Sequence, residues 1–138
     1  MKTYAFRLQP DQDLKISIKN YVRENKIKAG VILSCVGSLS GAALRMADKN
    51  VTKVFDGKFE IVSLAGTLSP DGCHLHISLS DKDGNVIGGH LNEGCIINTT
   101  AEIVIGEIEN LSFSRVVDES TGFKELVVQG GSTIASVS

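Results

Sequence analysis

The sequence predicts an α+β fold, a mostly antiparallel, curved β-sheet with one long N-terminal helix. Three observations carry that expectation. Only one segment, close to the N-terminus, spaces its apolar residues at the helical period. From residue 29 almost to the end, the chain runs as short β-type stretches, and these are separated by Gly, Asn and Asp pairs of turn composition. With 138 residues, 42% of them apolar and only two prolines, the chain has the material for one core. We assign 1–130 to a single domain and 131–138, uncharged and light in bulk, to a loose tail.

The first strand covers Thr3 to Leu8, where Tyr4, Phe6 and Leu8 alternate with Thr3, Ala5 and Arg7. Pro10, Asp11 and Asp13 then open the helix, because an Asp side chain accepts bonds from unpaired first-turn amides. Leu14, Ile18, Tyr21 and Val22 form its apolar stripe, Lys15, Lys19 and Arg23 point away, and the helix ends around Asn25. Strands follow at Gly30 to Val36, Ala42 to Ala47, Phe59 to Leu68, Cys73 to Ser80, Asn85 to His90, Ala101 to Ile108, Leu111 to Val117 and Phe123 to Val128. The breaks fall at Asp48 to Asn50, Asp56-Gly57, Pro70-Asp71-Gly72, Asp83-Gly84, Glu109-Asn110 and Thr121-Gly122. A single helix leaves one sheet face poorly covered. Gly-rich strands could curve the sheet closed on itself, and burial against further copies of the chain is the favoured remedy.

Composition excludes several function classes. Fourteen Lys and Arg against sixteen Asp and Glu give a net charge of −2, without the basic run that sequence-independent nucleic-acid binding requires. The longest uncharged stretch, Ala29 to Leu44, falls short of the roughly 20 residues of a membrane span, so no membrane role is expected. The first residues, MKTYAFRLQPDQD, hold no apolar run of a secretion signal, which points to the cytoplasm. Cys35, Cys73 and Cys95 are odd in number and widely spaced, and read as reduced thiols.

All three histidines, His74, His76 and His90, lie in one window, CHLHISLSDKDGNVIGGHL. Residues two apart in a strand share a face, so His74 and His76 are neighbours, while Cys73, Leu75, Ile77 and Leu79 form the opposite side. His90 lies across a hairpin turning at Asp83-Gly84. A three-residue loop, Lys82 to Gly84, places it opposite His76 on the same face. A two-residue loop would place it opposite Ile77, unless a bulge at Gly88-Gly89 restores the register, and the first register or its bulged equivalent is the one expected. Three imidazoles on one rigid face form the ligand set of a catalytic-type metal site with an open fourth position. Neutral histidine nitrogens suit zinc first, and also iron, nickel or copper. The competing account has the histidines bonded to backbone, Ser78, Ser80 or Asn92. Cys73 and Cys95 are weaker ligand candidates.

Three segments, GSLSGAALR (Gly37 to Arg45), GKFEIVSLAGTLS (Gly57 to Ser69) and HLHISLSDKDGNVIGGHL (His74 to Leu91), resemble the PPC domain, named for plants and prokaryotes conserved. The likeness spans nearly the whole chain and is greatest to the stand-alone prokaryotic type, often labelled DNA-binding proteins with a PD1-like motif. Plant members carry an AT-hook ahead of this domain and lack the histidines. No AT-hook occurs in these 138 residues. The resemblance implies an α+β homotrimer with a metal at His74, His76 and His90. The family's motif maps onto Gly57, Lys58, Phe59, Glu60 and Ile61, a region that serves partner interactions in plants, and its L-R pair onto Leu44 and Arg45. The fold is also similar to that of acetolactate decarboxylase, which holds zinc with three histidines.

Three functions follow as expectations. The first is a regulatory trimer with a DNA or protein partner, which the family label suggests and the charge disfavours. The second is a zinc-type enzyme acting on a small oxygenated metabolite, with Glu60 as acid or base and Arg45 as anion clamp. An ordinary Arg-Glu pair is the plainer account of those two residues. Glu93 is a further acid, in a segment of turn composition. The third is a sensor whose metal pocket binds a small-molecule ligand.

Overall fold

Two strands run much further than the turn punctuation implies, and their length shapes the molecule. The structure is a computed structural model and describes residues 1–48 and 50–131. In chain order the elements are β1 (Lys2–Leu8), α1 (Leu14–Glu24), β2 (Gly30–Arg45), β3 (Thr52–Ser69), β4 (Gly72–Ser80), β5 (Val86–Leu91), β6 (Ile96–Glu107), β7 (Leu111–Val117) and β8 (Lys124–Gly130). The two strands expected at Gly30 to Val36 and Ala42 to Ala47 are one, β2, carried past Gly41 by a register shift between Leu39 and Gly41. Likewise β3 runs straight through Asp56-Gly57, where Gly57 takes φ +123 without turning the chain back. Most of the tail expected at 131–138 lies outside the described residues.

The helix corrects an expectation. It has 11 residues, about three turns, and is not long. Asp13 caps it as foreseen, its side chain accepting from the Ile16 amide at 2.9 Å. The residues before it are spent on a turn, with Asp11 at φ +72. At the other end Asn25 sits at φ −91, and the left-handed position falls to Lys26 at φ +54. Leu14, Ile18 and Val22 are fully buried along one stripe.

All pairings are antiparallel, in the order β1-β6-β2-β3-β4-β5, and β5 also pairs with the end of β2 through Leu44↔Leu91 and Arg45↔His90. Strands β2, β3, β4 and β5 therefore close into a ring, which gives the sheet its curvature. Inside it Leu44, Leu68, Leu75, Leu79 and Leu91 are fully buried and meet the helix stripe in one core cluster. Each such side chain contributes on the order of 1.5–3 kcal/mol by leaving water. Alternation then forces the intervening residues of β4, His74, His76, Ser78 and Ser80, to the outer face.

Strands β7 and β8 form a separate two-stranded sheet. It is moored at its base by Phe113, whose amide donates to Lys28 O at 2.9 Å, and by Arg115, whose amide donates to Asp71 Oδ2 at 3.1 Å. Every residue of β8 is exposed.

Candidate metal centre

The hairpin β4–β5 builds the site, and its turn sets the register. Asp81 Oδ1 accepts from the amides of Asp83 and Asn85 at 2.9 Å each, and Gly84 supplies the φ +82 that closes the three-residue loop. His76 therefore pairs with His90, with no bulge at Gly88-Gly89. Opposed residues share a face, so the strand crossings β2-β5-β4-β3 set Arg45, His90, His76 and Ala65 in one row. His74, opposite Thr67, stands in the next row on the same face.

The imidazoles converge. Ring centroids lie 4.9 Å (His74 and His76), 5.2 Å (His74 and His90) and 5.8 Å (His76 and His90) apart. One nitrogen from each falls within 4.8 Å of the others, and His74 Nε2 and His76 Nε2 are 3.2 Å apart. A tetrahedral metal with bonds of about 2.0–2.1 Å separates two ligating nitrogens by about 3.3 Å. His90 Nδ1 is buried with no hydrogen-bond partner among the described residues, so no protein group competes for that ring nitrogen. The donor set thus fits a metal ion. Bonds from the histidines to Ser78, Ser80 or Asn92 do not occur among the described residues, and Asn92 instead donates to Thr52 Oγ1 at 2.7 Å.

Electrostatics favour the neutral, ligating form. Burial first, and then the Arg45 guanidinium, pushes His90 down to about 4 from its ordinary 6.5. His74 is lowered in the same direction by burial and then by His76 and Arg115. Burial raises all three thiols, Cys35 to about 11. Cys73 and Cys95 lie outside the histidine cluster, and the Cys95 thiol bonds to Ala43 O at 3.4 Å.

The two proposed helpers of the metal separate. Arg45 adjoins His90 and lines a cavity of about 780 Å³ with His76 and His90. Glu60 is exposed on β3, opposite Ser38 and Ser80, and Ser80 lies four residues from His76, about 13 Å along the strand. Arg45 and Glu60 form no ion pair among the described residues, and Glu93 pairs with Lys19 at 3.9 Å on the surface. In the Gly57 to Ile61 motif, Phe59 and Ile61 are buried, while Gly57, Lys58 and Glu60 are exposed. Phe123 reaches the cavity from the β7–β8 hairpin, with its ring 5.8 Å from the Arg45 guanidinium carbon. No local pattern in the sequence marks Phe123 as part of the site.

The sequence model of the Plants and Prokaryotes Conserved (PCC) domain matches residues 1–109. Bifunctional protein GlmU of Synechococcus sp. (strain JA-3-3Ab) is 44% identical over 129 residues, which are 94% of this chain and 21% of that protein. The chain spans about a fifth of the length of that relative. Among solved structures, a hypothetical protein from Salmonella cholerae-suis has a TM-score of 0.90 at 41% identity, over 94% of both chains. A metal-containing protein from Archaeoglobus fulgidus has a TM-score of 0.77 at 30% identity, over 92% of this chain and 94% of that one.

Proposed function

We propose, from the premise that this chain belongs to the Plants and Prokaryotes Conserved (PCC) domain family, that it is a homotrimeric regulatory module holding a divalent metal, zinc first, on His74, His76 and His90. The observation that carries the reading is the convergence of one nitrogen from each of three imidazoles within 4.8 Å on one outer sheet face. The metal-containing description of the Archaeoglobus fulgidus neighbour supports it. A bound metal would supply an electrophilic centre with a position open to an oxygen donor. The chain's own residues fix that centre, since β4 and β5 are locked by the buried Leu75, Ile77 and Leu91 beneath the imidazoles.

Self-association has its own support. Val54, Val62 and Val36 are 68%, 57% and 59% exposed on strands of the ring, and β8 is uncovered along its length. A two-stranded hairpin is marginal alone, and burial against a second copy would stabilise it. A DNA partner has less support, because a −2 chain offers few counterions to release. The cavity favours a small-molecule role at the metal, sensory or enzymatic, with Arg45 rather than Glu60 beside the reacting atoms.

The test is elemental analysis joined to light scattering. We expect about one metal per chain in a trimer, with His90→Ala losing the metal while keeping its circular dichroism. A purified chain that takes up no zinc, cobalt, nickel or iron on reconstitution refutes the proposal.

A further inference from the structure

The geometry points to a small organic carboxylate, bearing a hydroxyl or carbonyl oxygen next to its carboxyl group, as the ligand of the cavity beside the histidines, with Arg45 receiving the carboxylate. The inference rests on the proposed metal site and adds to it the class of molecule bound there.

Four observations carry it. The cavity, about 780 Å³, falls within the range of roughly 300–1,000 Å³ used for small ligands, and His76 and His90 stand on its wall. Arg45 is the register partner of His90, so its side chain leaves the sheet on the metal's face, one strand away. Its guanidinium has no ion pair among the described residues, although a cation that lines a cavity normally finds an anion. Its guanidinium carbon lies over the Phe123 ring at 5.8 Å from the centroid, a cation–π contact that uses none of the guanidinium N–H groups and so leaves them available for bidentate bonds.

The remaining lining decides the charge and size of the partner. Ser63 and Ser78 offer hydroxyls, and Asp48 is the one acid among the described lining residues, exposed at a turn with φ +55. A metal on the histidines and a guanidinium beside them ask for one molecule with oxygen donors for both. A 2-hydroxy or 2-oxo carboxylate answers this in a few atoms, one oxygen turned to the metal and the carboxylate to Arg45.

The test uses the cobalt-loaded protein, titrated with glycolate, pyruvate, hydroxyacetone and inorganic phosphate, and read by visible absorption and calorimetry. Glycolate or pyruvate should saturate the site, with hydroxyacetone, which lacks the carboxylate, about 10-fold weaker or worse. Arg45→Leu should weaken glycolate about 10- to 100-fold and leave cobalt uptake unchanged, and Arg45→Lys should recover part of the loss. Phe123→Ala, on the exposed hairpin, should weaken glycolate several-fold and provides a second variant that leaves the ring intact. Cobalt-loaded protein that binds neither carboxylate, binds them equally in Arg45→Leu, or prefers phosphate overturns this inference alone. Failure to take up cobalt overturns the metal site itself, and this assignment with it.

Discussion

Replacing Gly66 by Ala should damage both the fold and the metal centre, because a methyl group there meets the backbone of the ligand strand. Gly66 pairs with Leu75, between the two histidines of β4, at φ +153. An added Cβ would lie 1.9 Å from His74 O and 2.9 Å from Leu75 Cα. Both obstacles are main chain, so no side-chain rotation relieves them, and β4 must retreat from β3 by about 1 Å or more. Loosening the two flanking ladder bonds costs about 1 kcal/mol each, and the left-handed backbone adds about 1 kcal/mol for a non-glycine residue. The expected loss is about 3 kcal/mol, read as a lower urea midpoint and a melting temperature down by about 10 °C. Because the strand moves at His74, metal affinity in the folded fraction should fall about 10- to 100-fold, as when other groups that orient a ligand are removed. Gly37→Ala is the control. Its Cβ would meet Thr100 O at 2.1 Å in the β2–β6 ladder, away from the histidines and without a positive φ, so stability should fall by about 2 kcal/mol and metal affinity should hold. Wild-type stability in Gly66→Ala, or equal metal affinity in the two variants, would refute the reasoning.

Two further outcomes follow from the buried ionisable groups. His90 and His74 are depressed in the native state, so below about pH 6.5 the unfolded chain binds protons that the native chain refuses. Stability of the metal-free protein should be full above that pH, fall as pH drops from 6.5 towards 4, and change little further from His90 below it. Urea midpoints that stay flat across the window would contradict the burial of His90. A disulfide thiol reagent at pH 8 should find the native chain slow, with half-buried Cys73 reacting before Cys35 and Cys95, and all three reacting at once in urea, since the thiolate is the nucleophile. Immediate reaction of Cys95 in the native chain would place it wrongly in the core.

What the sequence discloses about the site is what strand geometry makes local. His74 and His76 declare a shared face because the side-chain period of a strand is two, and Lys82 to Gly84 declare the register because a short loop leaves few choices. The pairing of β2 with β5 is not local. Arg45 and His90 stand 45 positions apart, and their contact exists only because the ring closes, which no stretch of composition announces. The misread breaks have a related cause. Asp56-Gly57 has the composition of a hairpin turn, but partners on β2 hold both sides of it, and the glycine's positive φ is used to bend a continuous strand. The helix stripe was legible from Leu14, Ile18 and Val22. Its shortness was not, because Pro10 to Gln12 carry helix-start signals and are spent on a turn, with Gln12 donating to Gln9 O.

Net charge then acquires a different meaning from the one it has in the composition. A total of −2 describes the whole surface, whereas a ligand responds to the potential where it sits. Around the histidines cations outnumber acids, since Arg45 and Lys15 both hold His90 down, and Arg115 and Arg45 act on His74 in the same direction against Glu125 alone. A divalent ion placed there would add further positive charge, so the occupied site calls for an anion. Shape decides which kind. Duplex DNA needs an extended basic surface that tracks many phosphates, and this cavity instead presents one guanidinium, without an ion pair among the described residues, beside two imidazoles in a volume of about 780 Å³. The anion that matches both the sign and the size is a small one. An acidic protein of this family can therefore carry a local cationic trap without being a general binder of polyanions.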